Sequence, residues 1–167
     1  MFEDILIFCK KKNKYKASDG HISGLYKFYT SSQDKILYRD DYEFENSHIL
    51  IGRGGNPSLH LVSKFSVSHD DVYVIKTKSN ETSLEYIYNY LRHNINLISS
   101  GFQGSTIKHS SKTRLNKIKL KIPQNKQLIK DLEPHFEEIE RLHVEVKNAD
   151  KLYKQYIQEL SQEAIVK

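Results

Sequence analysis

The last third of the chain, from Pro123 to Lys167, carries its apolar residues in a seven-residue rhythm. With Ile139 at position a, the stripe continues through Leu142, Val146, Ala149, Tyr153, Tyr156 and Leu160, in steps of three and four. That spacing keeps one narrow face of an α-helix apolar, which is the seam of a coiled coil. Glu140, Arg141, Glu145, Lys147, Lys151 and Lys154 flank the stripe and can stay in water. A helix of roughly 30 residues reaches roughly 45 Å, more than a small domain needs to cover itself. Glu163 falls at the next d position, so the seam is expected to end near Leu160. Pro134 predicts a short helix over Lys126–Glu133 and then a kink or restart.

Upstream the period changes from helical to alternating. FEDILIF (Phe2–Phe8) predicts a short buried strand, and the basic KKKNKYKASDG after it reads as a turn. GLYKFYTSS (Gly24–Ser32) begins as a strand, with Tyr26 and Phe28 on one face and Leu25, Lys27 and Tyr29 on the other, and ends in hydroxyls. Further β-type runs fall at Ile36–Tyr38, His48–Ile51, Leu59–Val62 and Val72–Lys76. Asp-Asp, Gly-Arg-Gly-Gly-Asn-Pro and His-Asp-Asp separate them as turns. Strands so short and closely spaced predict a compact, curved or barrel-like β region. One helix interrupts it: Thr82 and Glu85 match a capping box, and Leu84, Ile87, Tyr88, Leu91 and Ile95 follow at helical spacing. Tyr88 is read as packing. SSGFQGST (Ser99–Thr106) is a glycine-punctuated loop. LNKIKLKIP (Leu115–Pro123) alternates Ile118, Leu120 and Ile122 against lysines, which predicts a half-buried strand with a basic outer face. The fold class expected is α+β: a compact, curved, β-rich domain over residues 1–123 with one or two packed helices, then a long coiled-coil helix over 124–167.

Composition narrows the partners. The 167 residues carry a net charge of +5, and a basic balance favours a polyanion, because each neutralised phosphate releases counterions. Lysine outnumbers arginine 21 to 5, a bias that an AT-rich genome also produces. Lys10, Lys11, Lys12, Lys14 and Lys16 form either a solvated loop or, on a DNA-facing side, a set of phosphate contacts. No run is long and apolar enough to predict a membrane span, and the acidic Glu3 and Asp4 argue against a signal peptide. A single cysteine, Cys9, excludes an internal disulfide and suits a reducing compartment, so a cytoplasmic protein is expected.

Catalysis lacks its usual parts. Gly52-Arg53-Gly54-Gly55 is too short for a cofactor loop, and there is no phosphate-cradling lysine–serine loop. The eight histidines form no ligand-spaced pair with cysteine or carboxylate, so neither metal nor cofactor is expected. Asp40-Asp41 and Asp70-Asp71 have the chemistry to hold a divalent ion, but adjacent carboxylates in turns usually serve the turn. A non-catalytic protein is the expectation.

The order of parts is more specific than any one of them. GLYKFYTSS, ILIGRGGNPS, LEYIYNYL, GFQGST, LNKIKLKIP and a helix start bearing Gln127 follow one another over nearly the whole chain. In that order they resemble the target-recognition domain of type I restriction–modification specificity subunits, which read DNA for separate methylating and cutting subunits. Such subunits usually carry two recognition domains and two spacers, and one set is present here. The resemblance implies double-stranded DNA as partner, DNA methyltransferase subunits as a further one, and the tail as spacer. It also implies a basic face for phosphates and polar side chains for base edges. Arg53, in a glycine-flanked loop, suits a guanine edge, or alternatively a salt bridge with Asp40 or Asp41. Asn56 and Gln103 suit adenine or serve turns, and Tyr29, Thr30, Ser31 and Ser32 read bases or touch phosphate. Lys12, Lys14, Lys16, Ser105, Lys108, Lys112 and Arg114 are the phosphate candidates. With one recognition domain per chain, a homodimer through the tail would read two copies of one half-site. The competing expectation is a protein-interaction or regulatory module whose helix docks on a methyltransferase or another coiled coil.

Overall fold

The computed structural model describes residues 1–79, 82–104 and 108–165, the side chains of residues 137 and 162–165 excepted. The chain divides into two compact units, Met1–Ile122 and Pro123–Lys167. In chain order the first holds α1 (Phe2–Ile5), β1 (Leu6–Phe8), β2 (Tyr26–Tyr29), β3 (Leu37–Arg39), β4 (His48–Gly52), β5 (Leu59–Val62), β6 (Phe65–Val67) and β7 (Val72–Thr77). It then adds α2 (Leu84–His93), α3 (Ile95–Ser99), β8 (Phe102–Gln103), β9 (His109–Ser110) and α4 (Lys112–Asn116). The second unit is α5 (Lys126–Ile165). The architecture is α+β, as the sequence predicts.

The strands make a four-stranded sheet in the order β1-β7-β4-β5, a three-stranded sheet β3-β2-β6, and the ribbon β8-β9. β4 is a continuous apolar run because it lies inside its sheet, antiparallel to both β5 and β7, and every one of its residues is buried. Leu50 from β4 and Val72 and Val74 from β7 share a core with Tyr29 from β2 and Phe65 and Val67 from β6. α2 covers β4 and β5, burying Ile87 and Leu91.

Four expectations change. FEDILIF is not one strand: Phe2–Ile5 forms a single helical turn, held where Phe2 N–H donates to Ile118 O (2.8 Å), and only Leu6–Phe8 pairs with β7. That bond also takes Ile118 out of the strand expected over Leu115–Pro123. Ser111 caps α4 by accepting from Arg114 N–H, and residues 117–123 form no strand. The α2 cap is Ser83 rather than Thr82, its hydroxyl accepting from Tyr86 N–H at 3.1 Å. Tyr86 is the buried tyrosine of that helix, while Tyr88 is half-buried with Arg92 6.0 Å above its ring. Last, α5 runs its 40 residues through Pro134 without a restart. The missing N–H forfeits one intrahelical bond to the turn before, and the turns on either side keep the helix continuous.

β6 went unseen because three residues, bounded by Lys64 at φ 50°, give no period to read. Along α5 the heptad positions Ile139, Leu142, Val146, Ala149, Tyr153, Tyr156 and Leu160 are exposed or nearly so, with Val146 at 68% and Leu160 at 44%. Val144, Leu152 and Ile157 are exposed beside them, outside the a and d positions.

Candidate nucleic-acid interface

Arg53 follows β4 directly, and its backbone is pinned from two sides. Its N–H donates to Asp71 O (2.8 Å), and its carbonyl accepts from Ser110 N–H (2.9 Å). Gly54 bridges to His109, and Gly55 N–H donates to Lys108 O (3.0 Å). The loop after β4 is thus zipped to Lys108, His109 and Ser110, which sequence alone kept more than fifty residues apart. The glycines have separate reasons. A Cβ on Gly52 would overlap Ser58 Oγ and lie 2.8 Å from Ser31 O, and Gly55 adopts φ +78°.

The Arg53 side chain is 37% exposed, and its guanidinium lies 4.9 Å over the Tyr73 ring. Its buried Nε has no hydrogen-bond partner. The acid nearest to it is Asp70, at 4.0 Å, and not Asp40 or Asp41. Asp41 is occupied elsewhere: it accepts from Tyr15 Oη (2.6 Å) and Arg39 Nε (2.7 Å), which hold its carboxyl below the usual range. Asp70 accepts from His69 Nδ1 (2.9 Å) and Asp71 from the Ser68 hydroxyl, so the second acidic pair is engaged within its own turn. Among the described residues, no group of three or more His, Cys, Asp or Glu could hold a metal ion.

Arg53 lines two adjoining hollows. One, of about 510 Å³, also takes Ser31, Gly54, Gly55, Asp70, Asp71, His109 and Ser110. The other, of about 430 Å³, has Phe8 and Tyr73 against it (rings 5.2 Å apart) and the cations Lys11, Lys12, Lys14 and Lys112. Lys11 is half-buried, and its ammonium donates to Val72 O (2.7 Å) and to His69 O. Burial, with Arg53 as the next cause, lowers its pKa to about 8. A run of lysines has no period that tells which one turns inward, so sequence reading named Lys11 only as one of five cluster lysines and did not pick out Phe8, Tyr73, His69 or His109 as site residues.

The remaining candidates fall in different places. Tyr29 is a correction: at 2% exposure it is core, set against His60 and Phe65, and burial pushes its hydroxyl up to about 12. At the end of β2 both Phe28 and Tyr29 are buried while Lys27 stays exposed, which the alternating pattern did not signal. Ser32 caps the following turn, accepting from Lys35 N–H (2.9 Å) and Asp34 N–H (3.3 Å), and Thr30 Oγ1 accepts from Ser32 N–H (3.4 Å). Of that hydroxyl run Ser31 lines the hollow beside Arg53. Asn56 is exposed just past Gly55, and Lys16 and Lys108 are exposed. Arg114 donates to Gln103 Oε1, which pairs a proposed phosphate contact with a proposed base reader. Ser105 lies outside the described residues.

A family model of the type I restriction modification DNA specificity domain matches residues 2–148. The chain belongs to that family. A search of curated proteins finds no match. Among solved structures, the chain is similar in fold to a type I restriction–modification system S subunit from M. genitalium. The TM-score is 0.65 at 18% identity, over 93% of this chain. The chain spans 43% of that subunit's length. Among the described residues, no helix is long and apolar enough to cross a membrane.

Proposed function

We propose that this chain is a non-catalytic, sequence-specific DNA-recognition module of a type I restriction–modification system, working in a reducing, cytoplasmic setting. Residues 1–123 read the DNA, and residues 124–167 act as spacer and as partner helix. The observation that carries this reading is Arg53. It is half-exposed, its backbone is tied to Asp71 and Ser110, and its Nε lacks a partner where two hollows meet. An arginine whose backbone is fixed on both sides suits bidentate reading of a guanine edge, because little backbone freedom is lost on docking. Ser31 and Asn56 sit beside it as further readers, while Lys12, Lys14 and Lys112 suit the phosphates that set register. Asp70, weakly paired with Arg53, would be exchanged for the base.

Binding-site selection from random duplex DNA tests this. An enriched sequence is expected, and Arg53→Ala should relax one position by about 1–3 kcal/mol without changing the others. Recovery of no sequence, with weak salt-dependent binding alone, would refute it.

The exposed heptad residues support pairing of the tail with a second helix. In a two-fold homodimer the selected site would be an inverted repeat of fixed spacing. The competing occupant is a methyltransferase subunit, and light scattering separates them: a stable dimer of the isolated chain favours self-pairing, a monomer favours the foreign partner.

A further inference from the structure

The hollow against Phe8 and Tyr73 is surrounded by cations, and no carboxylate is among its lining residues. Lys112 Nζ stands 5.2 Å from the Phe8 ring centre and 6.0 Å from that of Tyr73, so it faces both rings, and Arg53 lies over the second. Like charges gathered over an apolar floor repel where water screens them poorly, and an anion entering among them removes that cost. Lys12, Lys14 and Lys112 are exposed, as Lys16 and Lys108 are. Lys11 is instead turned inward and held by two backbone carbonyls. At about 430 Å³ the space far exceeds what a bare phosphate needs, and its aromatic side offers nothing to a second phosphate.

We propose that this cavity binds one nucleotide-sized phosphate ester, its phosphoryl oxygens on Lys11, Lys12, Lys14 and Lys112 and its sugar or base against Phe8 and Tyr73. Charge-assisted bonds hold the phosphoryl group, and the rings offer a stacking surface that tolerates any base. Two sources present this chemistry: a free mononucleotide, or one nucleotide unit of bound DNA. The second rests on the DNA-recognition reading above.

The test follows the Phe8 and Tyr73 ring resonances of the full chain by NMR while dAMP, inorganic phosphate or the selected duplex is added. Both rings should shift with dAMP or duplex. The exposed double variant Lys12→Met/Lys112→Met should weaken that binding about tenfold or more. Competition between dAMP and duplex assigns the site to DNA, and dAMP binding that leaves the duplex in place assigns it to a free nucleotide. Rings unmoved by both ligands overturn the proposal. So does inorganic phosphate binding as well as dAMP, since the aromatic side would then add nothing. If the wild-type chain selects no DNA sequence, the recognition reading fails, yet the dAMP titration still decides the cavity.

Discussion

The two units of this chain treat apolar residues in opposite ways. Met1–Ile122 seals a core, in which Phe2, Phe28, Phe65, Ile49 and Leu50 have no exposed surface, although Ile22 and Leu25 stay in water. Along α5 the residues of the heptad stripe stay in water within one chain, Tyr153 at 65% and Tyr156 at 59%. The first pattern makes a scaffold that supports itself, on which the loop after β4 can hold Arg53 in one place. The second makes a surface whose apolar area is worth burying only against another helix. The DNA-recognition role proposed above would need both, since loops must be rigid to discriminate and a spacer must be free to find its partner.

Charging the seam breaks this contrast most sharply. Leu142→Lys with Val146→Glu is expected to abolish association in sedimentation while leaving the urea midpoint of the β-rich unit unchanged. A fall in that midpoint would show that the helix packs chiefly on its own chain. Phe65→Ala probes the sealed side. Its ring stacks on Phe44 with centroids 5.1 Å apart and meets Tyr29 edge-on, so the loss should be about 3–5 kcal/mol by urea denaturation. Oligomeric state should not change. Gly52→Ala should cost about 1–3 kcal/mol, because the added Cβ meets backbone at Ser31, and sequence selectivity should fall with it.

The smallest effect concerns pH. Burial lowers Lys11 to about 8, and Arg53, Lys112, Asp70 and Glu43 are the charges that act on it. An anion in the cavity favours the protonated amine, so binding should be level below pH 8 and weaken above it, by at most tenfold per pH unit. Lys11→Arg should flatten that fall. A wild-type profile already level to pH 9.5 in duplex binding would place Lys11 away from the anion.

Local pattern carried much of the fold. β4, β5 and β7 announced themselves by short apolar runs between Gly, Asn and Asp turns, and α2 by its period. Each signal is complete within a few residues, so no distant contact is needed to read it. The order of the segments was enough to suggest the family, since order along a chain is sequence information. The candidate site was legible only in part. Arg53 stood out by its glycines and the tail by its heptads. That Ser31 and His109 come to Arg53, that Asp70 and not Asp41 faces it, and that Tyr29 is core were not visible.

What the sequence by itself determined, then, is what lies within one helical turn or one strand: the type of most elements, the heptad spacing of the tail, the basic balance and the glycine-flanked arginine. Only the tertiary structure decided which edges and side chains meet. Alternation at Ile118, Leu120 and Ile122 describes a strand in isolation, but a strand needs a free neighbouring edge, and Phe2 claims the Ile118 carbonyl instead. Five lysines in seven residues are equivalent as text. Lys11 alone among them gives its ammonium to the carbonyls of Val72 and His69, because a buried amine must find acceptors and those lie some sixty residues away.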